Sequence, residues 1–232
     1  MDRTRLAVER QTAAMGCKRF QIGVREPVVA QMNLRHWSRE DLLQNLPWLK
    51  AQNAQGCDIY IVPDEPSGLV LLDDLTLGRV QALSGQGLFP CCVALTSPEN
   101  YQAWVRLTAK PLDPPVLKEA AKRLALAFHG DRSSVGWKHF GRLAGFQNKK
   151  PKHKDEHGKS PWVLLYDAQG GVAPSGQDLV QQVRESLLHA PSHTPKSFGE
   201  TKSADGPDPA ERFRQGGKPR GFRGSRSGSG CA

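Results

Sequence analysis

The chain has 232 residues, 38% hydrophobic and 24% charged, with a mean hydropathy of −0.52. No apolar run approaches the ~20 residues of a membrane span, so the length describes one medium-sized soluble domain with a real core, expected in the cytoplasm and without a membrane partner. A count of 32 Lys and Arg against 23 Asp and Glu gives +9, which suits a polyanionic partner and excludes an acidic disordered chain.

The opening MDRTRLAVERQ is charged and amphipathic, unlike a secretory signal, and predicts a helix over 3–15 that Gly16 ends. Two β-rich runs, 20–25 and 28–34, meet at Glu26-Pro27 and predict a hairpin. Ser38 with Asp41 three residues on reads as a capping box opening a helix through Leu42, Leu43, Leu46 and Trp48, which Pro47 must kink or end. CDIYIV (57–62) and GLVLLDD (68–74) flank a PDEPS turn, and a short helix should begin at Leu75. CCVALT (91–96) and YQAWVRL (101–107) flank TSPEN, and 116–128 is helical. A long basic connection leads to a strand, PWVLLYD (161–167), and an amphipathic helix over 177–188. Hairpins mixed with helices argue for an α+β fold, mainly antiparallel.

From Pro191 the composition shifts to Gly, Ser, Pro, Lys and Arg, and the few apolar residues lose any period. The expected organisation is therefore one domain over 1–190 and a disordered basic tail over 191–232. That tail is either a nucleic-acid tether, with Phe213 and Phe222 stacking between arginines, or a solubilising remnant. The five cysteines, Cys17, Cys57, Cys91, Cys92 and Cys231, form no CxxC pair, and those in apolar runs read as small core residues.

Three segments carry chemistry. Asp73 and Asp74 end an apolar strand, where adjacent carboxylates repel and a cation is welcome; hard oxygen donors suit Mg²⁺ or Mn²⁺ rather than zinc. The competing reading makes Asp74 a helix cap and leaves Asp73 solvated. In TSPENYQAW, taken alone, Tyr101 and Trp104 read as core anchors behind a turn formed by Thr96, Ser97 and Asn100. The stretch 129–154 holds Asp131, His139, Arg142, Lys149, Lys150, Lys152, His153 and Lys154, interleaved with Trp137, Phe140 and Phe146. Such a mixture suits a nucleic-acid backbone and its bases, against the alternative of a solvated loop. Walker A, GxGxxG, GxSxG and HExxH motifs are absent. Two adjacent carboxylates and a distant third can hold two divalent ions ~4 Å apart, as in nucleotidyl transfer.

MGCKRFQIGVRE, QNLPWLKAQNAQGCDIYIVP, GLVLLDDL, TSPENYQAW and GRLAGFQNKKPKH, in that order, make residues 3–170 resemble the RepB-type primase of IncQ-like mobilisable plasmids. That family belongs to the archaeo-eukaryotic primase superfamily and also forms the primase part of relaxase–primase fusions. The resemblance implies a primase catalytic core, with an RRM-like antiparallel sheet joined to an N-terminal α/β unit. It also implies short primers made from nucleoside triphosphates on single-stranded origin DNA. Carried over by position, the metal-binding aspartates fall on Asp73, Asp74 and Asp131. The TSPxNYQAW motif matches Ser97, Tyr101, Gln102 and Trp104, and RLAGFxNxK matches Arg142 to Lys149.

From charge and placement, Ser97, His139, Arg142 and Lys149 are expected to bind the nucleotide, and Tyr101, Trp104, Lys150, Lys152 and Lys154 the DNA. The chain departs from the family at Leu95, where a glutamate is common, and in carrying the basic tail instead of a C-terminal helical domain. A separate helical primase domain, a plasmid helicase and a host DNA polymerase are accordingly expected partners. The rival expectation is a non-catalytic module that binds single-stranded origin DNA.

Overall fold

The computed structural model describes residues 1–27 and 31–189. The expected tail over 191–232 and part of the expected 28–34 strand lie outside the described residues. In chain order the elements are α1 (Arg3–Met15), β1 (Arg19–Arg25), β2 (Met32–Ser38), α2 (Arg39–Gln44), α3 (Leu46–Ala54), β3 (Asp58–Pro63), β4 (Leu69–Leu75) and α4 (Leu77–Gly85). There follow β5 (Pro90–Ser97), β6 (Asn100–Arg106), α5 (Pro114–Ala127), β7 (Gly141–Arg142), β8 (Leu164–Asp167) and α6 (Gly176–His189). The strands form two four-stranded sheets, β2-β1-β3-β7 and β4-β6-β5-β8, with every pairing antiparallel.

Local chemistry explains most boundaries. Asp2 accepts the Arg5 N–H at 3.2 Å to open α1, and Gly16 closes it in the left-handed region at φ 59°. Ser38 and Asp41 make the reciprocal capping box of α2. Pro47 does not kink that helix: it occupies the first turn of a new one, α3, where its missing N–H leaves no bond unmade. Strand β2 runs later than the expected 28–34 because it is an edge strand with no buried side chain (Leu34 is 41% exposed), so hydrophobic alternation does not mark it. The last expected strand shortens to β8, with Trp162 making only an isolated bridge to Gln147.

Strand β4 is apolar on both faces because it separates two cores. Val70 and Leu72 pack with α4, α5 and α6, whereas Leu69 and Leu71 join Phe20, Ile22, Ile59 and Ile61 of the first sheet and Val8, Met15, Leu42 and Leu49 of the N-terminal helices. Cys57, Cys91 and Cys92 are buried there, as expected of small core residues. The RLAGF segment threads between the sheets. Gln11 of α1, fully buried, donates to the Arg142 carbonyl at 3.2 Å and accepts the Ala144 N–H at 2.8 Å. Trp104 packs so closely on Gly141 that a Cβ there would stand 2.9 Å from the indole. Among the described residues, no helix is long and apolar enough to cross a membrane.

Candidate active site

Strand β4 ends in a bulge: Leu72 pairs with Ala103 and Leu75 with Tyr101, so Asp73 and Asp74 together oppose Gln102 alone. Successive residues of a regular strand point to opposite faces. The extra residue, with Asp74 in the left-handed region at φ 57°, brings both aspartates to the wall of one cleft. That backbone costs an L-residue about 1 kcal/mol, strain of the kind stored at functional sites. Asp74 does not cap the next helix, whose N-cap is Thr76.

Asp131 arrives at the same cleft from the end of α5. His129 turns the chain through φ 52°, and the Gly130 N–H closes on the Ala125 carbonyl at 2.9 Å. A Cβ on Gly130 would stand 3.0 Å from the Asp73 carbonyl oxygen, so glycine lets the two segments pass. The Asp131 N–H then donates to that same oxygen at 3.0 Å. This backbone bond fixes the third aspartate beside the first.

Each carboxylate has protein donors. Asp74 N–H donates to Asp73 Oδ1 at 2.8 Å, and Asn100 Nδ2 to Asp74 Oδ1 at 2.7 Å. Ser133, through its N–H and hydroxyl, and Ser134, through its hydroxyl, donate to Asp131. Burial pushes the Asp73 carboxyl above the usual range, helped by the Asp74 charge and opposed by the Gln102 side chain and the Asp74 N–H. The hydroxyls of Ser134 and Ser133 hold Asp131 below it. Among the described residues, no three acidic, His or Cys side chains are arranged to hold a metal ion: backbone placement juxtaposes the aspartates, while their oxygens face these donors. None of the three is in an ion pair with a described Lys, Arg or His. In donor chemistry, oxygen only, the three carboxylates are of the kind Mg²⁺ or Mn²⁺ takes, although they are not set around one ion here.

The cleft, about 330 Å³, lies between the sheets, with Arg25, Tyr60 and Arg142 from one and Asp73, Asp74 and Gln102 from the other. His139, Lys150 and Lys152 also line it, so these three expected residues do meet the aspartates. Burial lowers the His139 pKa although Asp73 and Asp131 face it. Its ring is therefore neutral at pH 7, a hydrogen-bonding group rather than the expected counter-charge.

The remaining expectations are corrected. Arg142 is 3% exposed and held by Asp58 at 2.6 Å and the Tyr60 hydroxyl at 3.1 Å, so its charge is already neutralised. Lys149 donates to Gln147 Oε1 at 2.6 Å and lines a neighbouring cleft rather than this one; Lys154, expected at the DNA, lines that same neighbouring cleft. Ser97 is 3% exposed and off the cleft wall. Tyr101 and Trp104, at 9% and 3% exposed, are core residues that DNA does not reach, and Phe146 is buried too. Strand β6 is central in its sheet and covered on both faces, so Tyr101 and Trp104 are the core anchors that the motif alone suggests, against their assignment to DNA.

Residues 7–187 match the family described as the RepB DNA-primase N-terminal domain. The chain belongs to that family. It is 46% identical over 191 residues to Mobilization protein A of Escherichia coli, covering 82% of this chain and 27% of that protein. It is 27% identical over 202 residues to a DNA primase of Acidithiobacillus ferrooxidans, covering 78% and 57%. The chain thus spans about a quarter and just over half of these two relatives' lengths. Among solved structures it resembles the catalytic domain of primase RepB′ in complex with initiator DNA, with 44% identity, a TM-score of 0.76, and coverage of 82% of this chain and 97% of that one. The archaeo-eukaryotic primase domain of a cyanophage S-2L primase-polymerase shares the fold, with a TM-score of 0.57 at 18% identity. The α+β primase fold expected from the sequence is therefore the fold of this RepB-family chain.

Several cleft residues of this family member escape a reading by charge. Gln102, 4% exposed, stands opposite the Asp73–Asp74 bulge, and its Oε1 accepts the Arg142 N–H at 2.7 Å. It ties β6 of one sheet to β7 of the other. Asn148 donates to the Thr96 carbonyl at 2.8 Å and closes the base of the cleft. Asp58 carries the one visible signal, a lone charge opening an otherwise apolar strand.

Proposed function

We propose that the chain is the catalytic core of a DNA primase that starts short primers on single-stranded plasmid origin DNA. The observation that carries this reading is the Asp131-to-Asp73 backbone bond beside the Asp73–Asp74 bulge. It gathers three unpaired carboxylates from distant parts of the chain at one cleft, which a DNA-binding surface alone does not need. Asp73, Asp74 and Asp131 would hold two divalent cations. Those cations, when bound, acidify the primer's 3′-hydroxyl and offset charge on the leaving pyrophosphate.

The chain's own groups supply the rest. Gln102 beside Asp73 favours its ionised form against burial, and Ser133 and Ser134 favour that of Asp131. Lys150 and Lys152 at the rim provide the mobile positive charge for a triphosphate, the role that Arg142 and Lys149 do not fill. Arg142 instead braces the cleft wall through Asp58 and Tyr60. Neutral His139 offers a hydrogen bond near the reacting groups.

Labelled-nucleotide incorporation on single-stranded template, with Mg²⁺, with Mn²⁺ and with EDTA, tests this. Incorporation should require a divalent ion, while DNA binding persists in EDTA. Binding without incorporation under every ion would instead establish the non-catalytic module.

A further inference from the structure

The neighbouring cleft is strongly basic. Arg25, Lys149, Lys150, Lys152, Lys154 and Lys159 line an open space of about 870 Å³. None of the six is ion-paired with a described carboxylate. The acidic residues on its wall are engaged elsewhere: Asp58 with Arg142 and the Lys149 N–H, Glu26 with the Asn33 amide. Burial, and then the charge of neighbouring cations, lowers the pKa of Lys149 and Lys150. Cations crowded together without protein counter-ions are relieved by a polyanion.

This cleft leads to an exposed aromatic stripe. Gln147 and Ser160 form part of its wall, and Gln147 bridges to Trp162. Trp162, just before edge strand β8, and Leu164 and Tyr166 within it are 48%, 53% and 54% exposed, while Val163 is 1% exposed. Alternate residues of a strand stand about 6.7 Å apart, so the stripe runs about 13 Å. Tyr166 is not loose: its ring meets buried Tyr101 edge-on, with centroids 5.3 Å apart and planes at 81°. Tyr101 thereby positions the outer ring.

We propose that Lys149, Lys154 and Lys159 of this cleft and the Trp162–Leu164–Tyr166 stripe form one track for single-stranded DNA, those lysines contacting phosphates while Trp162 and Tyr166 stack on bases, with Lys150 and Lys152 left to the triphosphate. A duplex would satisfy the lysines but offers no free base faces to the rings; a protein partner would cover the stripe but has no call on the unpaired lysines. The track rests on the primase reading only in assigning the bound strand as template.

Fluorescence anisotropy in EDTA separates the two contacts. The probes are labelled oligo(dT) and an abasic oligonucleotide of equal length and charge. The native chain should bind oligo(dT) at least about 30-fold more tightly than the abasic strand, two stacked bases at about 1 kcal/mol or more each. The double variant Trp162→Ala, Tyr166→Ala should bind both equally, and Trp162→Phe should restore part of the preference. Lys154→Gln with Lys159→Gln should weaken both probes alike and reduce the slope of log K against log salt by about 1.4. An unchanged preference in a double variant that melts normally overturns the track and points to a protein partner on the stripe. A native chain that shows the expected pattern but makes no primer refutes the catalytic reading and leaves the track standing.

Discussion

At position 74, a glycine and an alanine should separate the cost of the backbone from the need for the carboxylate. Asp74 sits at φ 57°, where a residue with a Cβ carries about 1 kcal/mol more than glycine. Glycine removes that strain and loses the exposed bond from Asn100, worth about 0.5 kcal/mol. Alanine loses the same bond and keeps the strain. Asp74→Gly should therefore be about 1 kcal/mol more stable than Asp74→Ala, a difference of about 2–4 °C in Tm for a domain of this size. Both should lack primer synthesis, since both lack the carboxylate. Thermal melts in EDTA beside nucleotide incorporation provide the two readouts. A glycine variant melting below the alanine variant would refute the strain argument, and native incorporation by either would refute the role given to Asp74.

Other sites give equally definite outcomes. Arg142→Met should cost about 3–5 kcal/mol by stranding buried Asp58, and adding Asp58→Asn should recover part of the loss in denaturant melts. A loss of nucleotide affinity without instability would restore Arg142 as a phosphate contact. Gly141→Ala should cost about 1–3 kcal/mol by driving a methyl into Trp104. Burial places the Asp73 pKa above its unfolded value, so native stability falls as pH rises through the interval between the two. Asp73→Asn in EDTA should thus be the more stable protein at pH 7, with its advantage gone below the unfolded carboxylate pKa of about 3.9; a constant advantage at every pH would contradict the assignment.

What the sequence made legible was local. The capping box of Ser38 and Asp41, the stop at Gly16 and the doubly apolar β4 each follow from a few neighbouring residues. The carboxylate pair was visible for the same reason, but its bulge was not, because a bulge is a relation to the partner strand. Asp131 is visible as a further carboxylate after a helix, but its place beside the pair is not: nothing local announces that the Gly130 turn ends at the Asp73 carbonyl. Side-chain destinations misled most. YQAWVRL alone reads Tyr101 and Trp104 as core anchors, and the position of β6 between β4 and β5 buries them; it is their assignment to DNA that fails. Arg142 and Lys149 illustrate the same limit: a charge is visible in sequence, whereas the Asp58 that neutralises one of them lies on another strand.

If Asp73, Asp74 and Asp131 jointly bind divalent cations, anomalous diffraction from crystals soaked in Mn²⁺ with a non-hydrolysable nucleoside triphosphate will locate them. Two peaks about 4 Å apart, bounded by all three carboxylates, are expected. Manganese bound without Asp131, or absent from the cleft while the nucleotide is present, would contradict joint binding.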